Sequence, residues 1–188
     1  VWIERDGAGP ARVYLGEPAQ AQPEGGDPEF AKLKAPHVVT PARATLTRKT
    51  GFIEAQVAPG DVRLWDDAVF APWGDAGSRE GVVYYARAGR TEAKAQLPFE
   101  LVPVTAGGAR FRLVRDSKPV AGQAVTLIGP DRAQRELVTD GAGEISVPSG
   151  APGRYLLVAM RKETGRKTLP GGDVDAVHHI TTTSFVAR

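Results

Sequence analysis

Between Leu97 and Tyr155 the chain breaks short runs of alternating residues with Gly, Pro and Asp at nearly even intervals: LPFELVPV, ARFRLVR, DSKPVAGQAVTLIG, TDGAGEISVP and GAPGRYLL. Charged and apolar side chains alternate in Arg110-Phe111-Arg112-Leu113, as one half-buried strand requires. Short strands with regular turn signals specify an antiparallel β-sandwich. The expectation is an all-β chain of two sandwich-type domains. The first is a β-rich unit with long loops over 1–105, and the second a more regular sandwich over 106–188.

Further strands are expected at Val1–Glu4, Arg12–Leu15, His37–Thr40, Ala44–Arg48, Phe52–Val57, Val62–Trp65, Val82–Ala88, Ala124–Ile128, Arg154–Met160 and, as the closing strand, Val177–Val186. Pro98 and Pro103 bracket FELV and mark it as an edge or linker strand. Two hairpins are expected. One joins 82–88 to 91–96 around Gly89-Arg90. The other joins 136–139 to 144–147, with Asp140 bonding the backbone that follows it and Gly141 and Gly143 at positive φ. Asp27 as N-cap and Pro28 at the first position predict a helical turn or two over 28–34. Arg161–Asp175 is polar and Gly-rich and reads as a long connection. Loops 16–28 and 71–81 are the expected places for ligand contacts, because loops on a rigid sheet carry function.

The 188 residues include no Cys, which excludes a disulfide scaffold, a thiolate metal site and a Cys nucleophile. No GxSxG, HExxH, phosphate-loop or dinucleotide fingerprint is present, and no enzyme is expected. Asp66-Asp67 suits a turn or surface, since strand neighbours point to opposite faces. The net charge of +2 gives no case for nucleic acid. The charge is uneven, with six acids and two bases over 1–29 against eleven bases and six acids over 110–167. No run approaches the roughly 18 apolar residues of a membrane span, so no membrane insertion is expected.

The histidines are His37, His178 and His179. An imidazole-rich site for Ni, Co, Cu, Zn or Fe is the sharpest chemistry they offer, with Glu163 as an oxygen ligand. It requires the imidazoles to converge with a carboxylate, and adjacent His side chains share one ion only at a bulge or strand start. Trp65 and Trp73 flank WDDAVFAPW and are the candidates for an aromatic ligand groove.

The opening VWIERD…RVYLGE, the junction VVYYAR…LPFELVPV, the segment SKPVAGQAVTLIGPDRAQRELVTDGAGEISVPSGAPGRYLLVAMRKET and the ending HHITTTSFV together resemble the bacterial periplasmic family of unknown function grouped with NikM-like nickel-uptake proteins. The C-terminal part also looks like transthyretin-like and Ig-like modules. The resemblance covers about two thirds of the chain and omits most of residues 17–80. It implies a periplasmic protein, secreted through a leader not present before Val1, that assists transition-metal uptake without being an enzyme. Its partner would be a membrane transporter or a TonB-dependent receptor. The alternative expectation is a carbohydrate- or peptide-binding, or structural, module of a cell-envelope complex.

Overall fold

The computed structural model describes residues 1–39, 44–148 and 150–188. The strands of the first half are β1 (Trp2–Arg5), β2 (Ala11–Tyr14), β3 (His37–Val39), β4 (Thr45–Lys49), β5 (Phe52–Gln56), β6 (Val62–Asp66), β7 (Glu80–Ala88) and β8 (Phe99–Pro103). Those of the second are β9 (Arg110–Arg115), β10 (Lys118–Pro119), β11 (Ala124–Ile128), β12 (Gln134–Val138), β13 (Glu144–Ser146), β14 (Gly153–Leu169) and β15 (Gly172–Ala187). The fold is all-β and sandwich-type, as expected. Thr40, at the end of one expected strand, lies outside the described residues.

A seven-stranded sheet in the order β12-β11-β14-β15-β7-β6-β3 forms the middle layer. All its pairings are antiparallel except β15 with β7, which run parallel. The sheet β1-β2-β5-β4 covers part of one face. Ile3, Val13 and Ile53 there meet Val62, Leu64, Ala86 and Ala88 of the middle layer. The short sheet built on β9, with β8 along one side and β13 and β10 along the other, covers the opposite face. Its Phe99, Leu101, Phe111 and Leu113 pack on Val83, Tyr85, Val125, Leu127 and Leu157. A strand buried on both faces reads as a continuous apolar run rather than an alternating one, and the VVYYA of β7 has that character.

The hydroxyl-rich segment of β15 ties the three layers together. Thr182 and Ser184 donate to the carbonyls of Val1 (3.1 Å) and Ile3 (2.5 Å), while Thr183 donates to Leu101 O (2.9 Å) on the other side. β1 and β8 are edge strands of their sheets, so these side chains satisfy carbonyls that no neighbouring strand reaches.

Several expectations are corrected. Thr91–Gln96 is not a strand. Asp61 accepts from Thr91 N and Oγ1, and Lys94 O accepts from Arg63, so this polar segment wraps around side chains instead of entering a ladder. Residues 134–138 and 144–146 do not form a hairpin: β12 pairs with β11 and β13 with β9, so the link crosses between layers. The turn is as expected at Asp140, whose Oδ1 accepts from Ala142 N and Glu144 N, and at Gly143, with φ of 74°, but Gly141 does not take a positive φ. The 28–34 helix reduces to a single 3-10 turn, Phe30–Lys32. The supposed connection 161–175 is strand: β14 and β15 form one long hairpin with an irregularity between Thr164 and Lys167. In its outer half the β15 side still buries Val174, Ala176 and Val177, while residues 161–168 of β14 are mostly exposed and are held by the backbone ladder rather than by apolar side chains. β15, expected to close the fold, lies inside the sheet with a neighbour on each side. That sheet takes strands from both sides of residue 105, which itself falls between β8 and β9.

Candidate functional site

Regular strand geometry sends His178 and His179 to opposite faces of the middle sheet. His179 faces the β8–β9 layer and is buried, at 4% exposure. Its Nδ1 lies 3.1 Å from the Tyr85 hydroxyl and its Nε2 3.3 Å from Glu163 Oε2. Arg115 Nη2 donates to Nε2 at 3.4 Å, so the proton is assigned to Nδ1, which donates to the Tyr85 hydroxyl, and both ring nitrogens are satisfied. Burial, aided by the nearby Arg115 guanidinium, pushes the imidazole down to about 4, so it is neutral at pH 7.

Glu163 has a stronger partner. Arg115 binds it through two parallel bonds, Nε to Oε1 at 2.8 Å and Nη2 to Oε2 at 3.0 Å. These hold the carboxyl down to about 2. Lys167 (3.5 Å) and Arg161 (3.7 Å) add positive charge. A divalent ion using Glu163 would have to displace the Arg115 fork.

On the other face, His178 Nε2 lies 2.6 Å from Glu80 Oε2. Glu80 also binds Lys162, and the two contacts hold its carboxyl below the usual range, the His178 bond first. Trp73 pairs through its backbone with Glu80 and stacks its ring on the His178 ring at 5.8 Å. At 43% exposure, the indole leaves much of its surface free.

His37 is elsewhere. It sits on β3, at the far edge of the sheet, stacked on Trp65 at 4.2 Å. Three strand spacings separate β3 from β15, roughly 14 Å. The expected convergence of His37, His178 and His179 therefore does not occur. Among the described residues, no three His, Cys, Asp or Glu side chains form a group able to hold a metal ion. Trp65 and Trp73 do not share a groove either. Trp65 packs against the core beside Tyr85, and Trp73 lies on the opposite face with His178. Spacing in sequence brought these indoles together on paper, but Trp65 belongs to β6 and the parity of that strand fixes which face it takes.

Sequence reasoning missed Glu80, Tyr85 and Lys162, which become partners only through the β15–β7 and β14–β15 pairings, and Arg115, which reaches Glu163 from β9 in the neighbouring layer. It also missed a buried charge cluster next to them. Arg63 and Arg87 are 1% and 0% exposed, and both donate to Oε1 of the fully buried Glu100, at 2.7 and 2.9 Å. Oε2 of Glu100 accepts from Gln96 N and Leu97 N, while Asp61 and Glu92 complete the guanidinium contacts. Every atom of the glutamate is thus satisfied, as a buried charge requires. Asp66 is not a surface or turn residue as expected: it ends β6, is buried at 4% exposure, and accepts from Ala68 N at 2.8 Å, with burial pushing its carboxyl above the usual range.

No protein-family model, no curated protein and no solved structure matches the chain.

Proposed function

We propose that the protein is a non-enzymatic periplasmic accessory of transition-metal uptake that takes its metal as a complex, at the His178–Glu80–Trp73 face. The observation that carries this reading is the partly exposed imidazole–carboxylate pair, 2.6 Å apart, beside an exposed indole. Nitrogen and carboxylate oxygen are good donors for Ni, Co, Cu, Zn and Fe. Two protein donors leave most of the coordination sphere to other ligands, so a metal arriving with its own chelator suits this pair better than a bare ion. Trp73 would stack on a flat organic part of that chelator. Delivery would be to a membrane transporter or a TonB-dependent receptor.

The test is calorimetric titration of metal-stripped protein with each ion, bare and as its 1:1 complex with histidine or bipyridine. The expected result is tighter binding of a complex than of the bare ion. His178→Ala and Glu80→Gln should each weaken it about tenfold, as lost ligands or their supports do. Trp73→Ala should weaken the bipyridine complex more than the histidine complex. Equal binding by the parent and the His178→Ala variant refutes the site.

A second reading, a carbohydrate-binding module, is favoured by the exposed Trp73 with polar Glu80 and Lys162 around it. Metal-independent binding of neutral oligosaccharides, lost in Trp73→Ala, would select it.

A further inference from the structure

The sheet β1-β2-β5-β4 leaves part of the middle layer uncovered, and the acidic loop 16–29 arches over the gap. Between them is a cavity of about 440 Å³. This lies within the range of small-molecule sites, roughly 300–1,000 Å³. Tyr84, Met160 and Ile180 form one cross-strand row of its floor, and Phe70 forms a side. Glu17, Asp27 and Glu29 supply carboxylates to its lining, Val1 adds an α-amino group that burial pushes down to about 5, and no Lys, Arg or His side chain lines it.

We propose that this cavity binds a small organic cation, a protonated amine joined to an apolar body. Three carboxylates with no Lys, Arg or His in the lining, and with the Val1 amine held neutral by burial, repel anions and favour positive charge. Aromatic rings and a flexible, 55% exposed methionine suit the apolar part and add cation–π attraction. The chain already contains a cation held in this way. Lys32 Nζ binds Glu29 and lies 4.7 Å over the Phe70 ring, outside the cavity lining. Glu17 has no ion-pair partner among the described residues. Asp27 is partly occupied with Glu29 N (2.7 Å), which makes Glu17 and Glu29 the main recognition groups. Burial first, then Glu29 and Glu17, push the Tyr84 phenol up to about 12, so both carboxylates act on the floor. The cavity neighbours the His178 site, since Ile180 is two residues from His178 on the same face of β15, but its charge logic needs no metal.

The test uses phenethylamine, 2-phenylethanol and 3-phenylpropanoate as probes of equal body and different charge, followed by NMR and calorimetry at low salt. Phenethylamine is expected to bind at least about tenfold more tightly than the other two, with shifts at Tyr84 and Met160. The Glu17→Gln/Glu29→Gln variant should lose about tenfold in affinity. Lys32→Gln, which releases Glu29 and Phe70, should gain about two- to threefold, a direction that damage to the fold would not produce. Equal binding of amine and carboxylate, no binding of the amine, or an affinity untouched by the double variant overturns the proposal. Metal titration of the same double variant keeps this outcome separate from that of the His178 site.

Discussion

Replacing Glu100 by Gln tests whether the buried Arg63–Glu100–Arg87 cluster holds the layers together. Glutamine keeps the shape but removes the charge and one acceptor. Oε1 receives two guanidinium bonds and Oε2 two backbone bonds. Whichever way the amide is turned, its NH2 faces two donors, and both lose their acceptor. Removing one partner of a buried ion pair costs about 3–5 kcal/mol, because the remaining charges stay desolvated. For a chain of this size, about 2–4 °C of melting temperature accompanies each kcal/mol, so Glu100→Gln should lower the midpoint by roughly 6–20 °C. Urea unfolding followed by tryptophan fluorescence, with calorimetry beside it, measures the effect. Arg166→Ala, which breaks the solvent-exposed pair with Asp173, is the control and should leave the midpoint in place. The reasoning fails if Glu100→Gln shifts the midpoint no more than Arg166→Ala does.

Acid should weaken the fold through His179. Its ring titrates near 4 when folded and about 6.5 when free, so between these values the unfolded chain binds the extra proton and stability falls as pH drops. The loss approaches roughly 3 kcal/mol at about 1.4 kcal/mol per pH unit, and the stability gap between the parent and His179→Gln should narrow from pH 7 to pH 4 in urea titrations. Gly26 and Gly51 touch where loop 16–28 meets the β4–β5 turn, and a Cβ on Gly26, at φ of 88°, would lie 2.3 Å from Gly51 Cα. Gly26→Ala should therefore cost at least about 2 kcal/mol in denaturant unfolding, while Gly25→Ala, with φ of 93° but open space, should cost only about 1 kcal/mol.

The strands were legible where one face is buried and the other wet. Arg110–Arg115 and Ala124–Ile128 alternate, and both appear at nearly the expected limits. What alternation cannot show is the partner. The 134–147 segment has the local signs of a hairpin, yet its two strands enter different layers, since turn chemistry at Asp140 is compatible with either course. The β14–β15 arm was hidden for the opposite reason. Its residues 161–168 are mostly exposed and polar, and nothing in them marks a strand until the backbone ladder is seen. Of the candidate site, strand parity allowed His178 and His179 to share an ion only at a bulge or strand start, and the regular course of β15 there separates them. Glu80 and Tyr85 were out of reach because they approach His178 and His179 through the parallel β7–β15 pairing, which joins segments almost 100 residues apart. The buried cluster was equally hidden: Arg63, Arg87 and Glu100 look like ordinary surface charges in a one-dimensional pattern.

That parallel pairing also governs how the chain can fold. β15 is the last strand in sequence, yet it stands between β14 and β7, with residue 176 beside residue 80. Until it arrives, β7 has an open edge along an apolar, doubly buried strand, and β1 and β8 lack their hydroxyl donors. Such long-range closure is slow, because the entropy of ordering the intervening chain is lost before the contacts return it. An early, incomplete species would show the edge that most invites pairing with another molecule. The window between synthesis of β7 and capture of β15 is therefore where this protein is most exposed to aggregation, and where a chaperone would have most effect.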